Sequence, residues 1–280
     1  MRWDAITINQ HNVLRLTKRR GHCIQFLKSR LAPCVEYQNG RVYGGPQIMR
    51  ESITRFTVQA LGCRTTHKNL DVVDQCDTLL VALKPNVVPA VLEEVAPAVQ
   101  QRHLVVSLAM GVTLGDIQQR LPSGTRVVRV MPNTPCLVRQ GASVFARGVT
   151  ATADDADLVS RLLASVGHCE EVPESLMDVA TGLSGSGPAY VFVTIEALAD
   201  GAVRQGMPRD LSYRLAANTV LGAAKMVLST GRHPGSLKDD VSSPAGTTCE
   251  GLWVLEKAGF RAALIEAVAA ATARAARGRH

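Results

Sequence analysis

The chain has 280 residues, of which 46% are hydrophobic, 20% charged and 4% aromatic. This is the composition of an ordinary globular protein with room for two domains, and no apolar run reaches the length of a membrane span. The net charge of +7 belongs to residues 1–50, which hold nine basic residues against Asp4 and Glu36 and leave the other 230 residues neutral. A basic terminus without a basic face carrying base-reading side chains argues against a nucleic-acid partner.

The seven cysteines are odd in number. No C-x-x-C pair and no Cys/His cluster at metal-ligand spacing occurs, so no metal site is expected. Cys63, Cys76, Cys136, Cys169 and Cys249 sit scattered in apolar or mixed surroundings, as free thiols of a reducing compartment do. A cytoplasmic location is therefore expected. The Arg/Lys-rich, acid-poor residues 1–31 keep a mitochondrial presequence as the alternative.

In chain order, residues 1–47 are weakly patterned. Ile53–Leu61 reads as a helix ended by Gly62. An alternating series follows. Thr78–Leu83, Leu104–Ala109 and Arg126–Met131 are apolar strand-like runs, separated by helical patterns at Val88–Val99 and Leu114–Leu121. Ser143–Ala146, a helix over Asp154–Val166 and Glu170–Val172 complete it. Such runs between helices predict a parallel sheet covered on both faces, a Rossmann-like doubly wound α/β layer. From Leu176 onward only helical patterns appear: Leu176–Leu183, Pro188–Gln205, Arg209–Thr230, Thr247–Ala258 and Phe260–Ala276. The expected division is a dinucleotide-binding-like domain over 1–173, atypical over 1–47, and an all-helical domain over 174–280. Its many Ala and Gly residues favour close helix contacts and a dimer.

Three regions can carry chemistry. Ligands of open α/β sheets bind beyond the carboxyl ends of the strands, which here read Ala82-Leu83-Lys84-Pro85-Asn86, Ser107–Gly111 and Met131–Pro135. Thr181–Tyr190 is a glycine-rich elbow before a helix, with Pro188 suited to its first turn. Asp240–Thr248 places hydroxyls, Gly246 and Pro244 ahead of a helix, where unpaired N–H groups and the dipole favour a carboxylate. Thr247 and Glu250 also have the spacing of a capping box.

Met131–Ala142 (MPNTPCLVRQGA), Thr181–Tyr190 (TGLSGSGPAY), Leu221–Leu228 (LGAAKMVL) and His233–Thr248 (HPGSLKDDVSSPAGTT) together resemble the pyrroline-5-carboxylate reductases, over about Ala60 to Arg274. Leu61–His67 (LGCRTTH) and the short C-terminal tail are most similar to the cytosolic vertebrate form. The resemblance implies reduction of a cyclic imine to proline with hydride from NADPH or NADH. It assigns Ser243, Gly246, Thr247 and Thr248 to the small-molecule substrate, with Thr248 as the catalytic hydroxyl beside the imine nitrogen. Asn69, Lys84, Pro85 and Ala109 match cofactor-lining positions. The resemblance also implies a homodimer or a ring of dimers through the C-terminal helices, with no membrane partner.

The chain departs from the family in its first half-domain. No G-x-G-x-x-G is present; Gly40, Gly44 and Gly45 have the wrong spacing, and no apolar strand is expected before them. Met110 and Ala245 stand where the family has smaller residues. Two readings follow: a working reductase with an unusual N-terminus, or a cofactor-deficient chain acting as a non-catalytic assembly subunit.

Overall fold

The computed structural model describes strands at Ile24–Phe26, Glu36–Gln38 and Arg41–Tyr43, and then residues 66–278 except His67. The helix expected at Ile53–Leu61 lies outside the described residues. The chain forms two compact units, one of Met1–Gly185 with Thr272–His280, the other Ser186–Ala271.

The first unit is built on a six-stranded sheet: β1 (Ile24–Phe26), β4 (Thr78–Val81), β5 (Leu104–Ser107), β6 (Arg126–Met131), β7 (Gly141–Arg147) and β8 (Gly167–Glu171), adjacent in that order. β2 (Glu36–Gln38) and β3 (Arg41–Tyr43) form a separate antiparallel hairpin. Every pair in the larger sheet is parallel except β6–β7. The parallel sheet expected from the apolar runs forms, with one antiparallel pair. The link between β6 and β7 is too short for a crossover helix, so β7 must return antiparallel.

β1 is a correction. Ile24 pairs with Thr78 and Phe26 with Leu80, so a short strand at the sheet edge does precede the glycines at 40–45. Its three residues are too few to give a periodic signal.

The inner strands β4, β5 and β6 are buried on both faces, as their apolar runs require. Leu79, Val81, Val105 and Val127 join one cluster with residues of α1 (Asn69–Gln75), α2 (Val88–Val95), α3 (Leu114–Gln118) and α5 (Met177–Ala180). Leu80, Leu104, Val106, Val128 and Val130 join the other, covered by Ala156, Val159 and Leu163 of α4 (Ala153–Ala164). Thr113 and Thr152 start α3 and α4 with reciprocal boxes, closed by Asp116 and Asp155, each supplying partners for orphan N-terminal donors.

In the second unit, α6 (Gly187–Arg204), α7 (Arg209–Thr230), α8 (Pro234–Asp240) and α9 (Thr247–Lys257) precede α10 (Phe260–Arg277), which runs on into the first. α7 stops where Gly231 takes φ 63° and its N–H bonds Val227 O, a left-handed cap that glycine adopts without a Cβ penalty. α8 lies within a stretch whose seven residues were too short to show a helical period. No helix among the described residues is long and apolar enough to cross a membrane, and none of them form a group of three or more potential metal ligands.

Candidate active site

Two sets of residues carry the motifs, one in each unit. In the second unit, α8 feeds a turn. Gly246 N–H donates to Ser243 O (2.9 Å), with Pro244 second in the turn and Ala245 third at φ 55°. A turn with Pro second and a left-handed third residue is one that normally takes Gly there. Ala245 therefore holds a conformation costing an L-residue about 1 kcal/mol. A Cβ on Gly246 would overlap Ser243 Oγ and displace that hydroxyl.

The capping box expected between Thr247 and Glu250 does not form. Gly246, extended at φ −80° and ψ 158°, is the N-cap, and no side chain caps the helix. The turn delivers Gly246, rather than Thr247, to the helix start, so Thr247 is already helical and Glu250 lies one residue too far along. This leaves the N–H groups of Thr247 and Thr248 without acceptors inside the helix. Cys249 Sγ donates to Ser243 O (3.2 Å), which closes the turn from below. Ser243 and Thr247 are exposed, Gly246 and Thr248 half-buried. The four residues assigned to the substrate thus come together within one turn of chain at a helix N-terminus.

Upstream, Arg232 bridges α8 end to end. Its guanidinium donates to Asp240 Oδ2 (2.6 Å) and Ser236 Oγ (2.8 Å). The Asp240 carboxyl is held below the usual carboxylate range, first by the Arg232 hydrogen bond and then by its charge.

In the first unit, the carboxyl ends of β4, β5 and β6 lie side by side. Lys84 is exposed and precedes a 3₁₀ turn opened by Pro85. Ala109 is buried, and its N–H donates to Ser107 Oγ (3.3 Å). Met110, by contrast, is exposed. Asn69 is placed differently: it opens α1, is buried, and donates from Nδ2 to Glu94 Oε2 on α2 (3.0 Å). The elbow adjoins the end of β6. Thr181–Gly185 is a π-helical turn, a form concentrated at functional sites. A Cβ on Gly185 would lie 2.6 Å from Met131 Cε. Asn133 ties the parts together, donating to Ser184 O (3.0 Å) and accepting from Ala142 N (2.9 Å). A polar residue between two prolines was its only sequence signal.

An anionic cofactor with a flat ring fits these strand ends. They offer an exposed cation at Lys84 and a small buried residue at Ala109. After β1 the chain reads Leu27-Lys28-Ser29-Arg30-Leu31, without glycine, and lies outside the described residues.

Two family profiles match. Residues 174–277 match pyrroline-5-carboxylate reductase dimerisation, and residues 42–111 match the coenzyme F420-dependent NADP oxidoreductases. Pyrroline-5-carboxylate reductase 3 of Rattus norvegicus is 54% identical over 217 residues, 78% of this chain and 79% of that one. The chain belongs to the pyrroline-5-carboxylate reductase family. Pyrroline-5-carboxylate reductase 2 of Bos taurus is 49% identical over 224 residues, 79% of this chain and 70% of the relative. Among solved structures, the Coxiella burnetii reductase aligns with a TM-score of 0.76 at 35% identity, over 82% of this chain and 86% of that one. The Plasmodium falciparum reductase with NADP bound aligns with a TM-score of 0.72 at 34% identity, over 77% and 82%. The oxidoreductase profile begins at residue 42, so the likeness extends further back than the motifs from Ala60 onward indicated.

Proposed function

We propose that this chain reduces pyrroline-5-carboxylate to proline, with the substrate carboxylate held at the N-terminus of α9. The observation that carries the reading is the family loop Ser243–Thr248, folded so that the N–H groups of Thr247 and Thr248 start a helix without internal acceptors, with three hydroxyl residues in the same turn. The N–H groups of Thr247 and Thr248 hold the carboxylate with the favourable end of the helix dipole behind them. Ser243 flanks them. The Thr248 hydroxyl orients the ring nitrogen, whose protonated form makes the adjoining carbon electrophilic. NADPH or NADH supplies the hydride. Lys84, Pro85 and Ala109 would hold its nicotinamide end, and Asn69 would act from α1. No side chain of the loop serves as an obligatory general acid, so the rate enhancement comes mainly from proximity and orientation.

The apolar faces of α6, α7, α9 and α10 support a homodimer, and a ring of dimers would require a second contact between dimers. The four free cysteines among the described residues support a cytoplasmic location, which cell fractionation tests.

The decisive assay follows nicotinamide absorbance with purified chain and pyrroline-5-carboxylate. The expected result is substrate-dependent oxidation of NADPH or NADH. Thr248→Ala, by loosening the orientation of the ring, should lower kcat/KM for the imine by about 100-fold and leave cofactor affinity unchanged. A wild-type chain that takes up neither cofactor at millimolar concentration overturns the reading in favour of the assembly subunit.

A further inference from the structure

β6 carries a second arginine inside its apolar run, between Val128 and Val130. Arg129 is only 3% exposed, flanked in the sheet by Ser107 of β5 and Ala146 of β7. A buried guanidinium requires partners, because burying an unpaired charge costs far more than a fold can recover. Arg129 Nη1 donates to Glu174 Oε1 (3.1 Å), and Nη2 lies 3.5 Å from Asp178 Oδ1. Both acids belong to the segment leading into the π-helical elbow.

Glu174 has a second role. The same Oε1 accepts the N–H of Leu114 (2.7 Å), the first helical residue of α3. Leu114 is 60 residues away in the chain, so this cap is not local. It comes from another part of the fold, on the same carboxylate oxygen that Arg129 holds. The segment between β5 and α3 is therefore pinned at both ends, by Ser107 Oγ on Ala109 N–H and by Glu174 on Leu114 N–H. Between the pins, Gly111 has a left-handed φ of 77°, and the Thr113–Asp116 box closes the helix start. Asp116 is held below the usual carboxylate range, chiefly by its Thr113 hydrogen bond, with Arg129 adding a small contribution of the same sign.

We propose that Arg129, acting through Glu174, is a positioning residue that holds the Ala109–Thr113 loop in the shape that receives the nicotinamide ring. The proposal rests on the cofactor assignment made above. It places a sheet residue with no ligand contact in control of cofactor affinity, and it makes the link between α3 and the elbow segment part of the binding device.

Two measurements on the full-length chain test it. Hydrogen exchange over residues 109–116 reads the latch itself, and calorimetric NADPH affinity reads its consequence. Arg129→Met and Glu174→Ala should each speed exchange in that peptide and weaken NADPH by about tenfold. Their effect on kcat should be under about threefold, because the latch acts on ground-state and transition-state binding alike. Because one residue acts through the other, the double variant should bind NADPH no more weakly than Glu174→Ala alone. Arg129→Lys, which keeps a cation near Glu174, should bind more tightly than Arg129→Met. Val159→Ala, a buried truncation on α4, should lower Tm without changing either readout. Glu174 is one-third exposed and tolerates truncation, so Glu174→Ala carries the test if Arg129→Met does not fold. Unchanged exchange, NADPH affinity within twofold of wild type, or additive losses in the double variant would overturn the proposal. A latch that opens as described in a chain whose wild type takes up no NADPH overturns the cofactor assignment, and the positioning role with it.

Discussion

The two units bury themselves to very different extents. The sheet unit has apolar clusters on both faces, with Val73, Leu79, Val88, Val105 and Ile117 at or near zero exposure. The helical unit has few buried residues, chiefly Ala199, Ala216 and Leu237. Its large side chains face outward: Phe192, Leu221, Trp253 and Ile265 are each more than half exposed, and Leu228 is 84% exposed. A parallel sheet with helices on both sides closes its own core. A layer of helices rich in Ala and Gly cannot, and apolar surface on this scale marks a binding face. Among the described residues, the first unit encloses its apolar clusters, while the second turns much of its apolar surface outward.

The most direct way to break that contrast is to charge the outward face. If these helices form the proposed dimer contact, Leu221→Asp with Trp253→Asp should convert dimer to monomer and abolish activity, read by light scattering and the absorbance assay. The same change should leave the sheet unit folded. A dimer that survives would show that these helices are not the contact.

A smaller effect is expected at Asn133. Asn133→Ala removes two hydrogen bonds that hold the elbow to the strand and should cost about 2 kcal/mol in denaturant unfolding. Ala245 offers a change of opposite sign. Ala245→Gly relieves the left-handed strain but frees the unfolded chain, for a net gain of about 0.5 kcal/mol. A loss in that variant would show that Ala245 is not strained.

The least effect at neutral pH is expected from His103. It is fully buried, accepting Gln100 N–H at Nδ1 (2.8 Å) with Nε2 at 3.0 Å from Val73 O. This pattern fits a neutral ring with its proton on Nε2. Burial, then the Arg102 charge, lower its pKa from 6.5. Below pH 6.5 the unfolded chain takes up a proton that the folded chain resists, so stability falls as the pH drops through that value. Thermal unfolding of His103→Gln should lack this slope, while the helical unit should be indifferent to it.

Legibility in the sequence followed the range of the forces involved. Arg126–Met131 and Arg209–Thr230 matched their apolar patterns residue for residue, and the turn ahead of α9 was legible from its hydroxyls, Pro and Gly, its substrate role only from the family resemblance. These features depend on neighbours a few residues apart. The boxes at Thr113 and Thr152 had the same signature as the one expected at Thr247, yet only the first two form. The pattern marks a possible cap, and the incoming chain decides which residue reaches the N-cap position. Cys136 and Cys169 read as free thiols, and they are; burial pushes the Cys169 thiol up to about 11.

By itself the sequence determined the alternation of strands and helices, the helical second half and the family loop, because periodicity, turn chemistry and motif spacing are local properties of the chain. Tertiary structure alone decided the antiparallel return of β7, the pairing of β1 at the sheet edge, the left-handed Ala245 and the capture of Glu174 by Arg129. Each of these joins residues far apart in the chain, or imposes on one residue a conformation that its own propensity opposes, and only the packed fold supplies the energy for either.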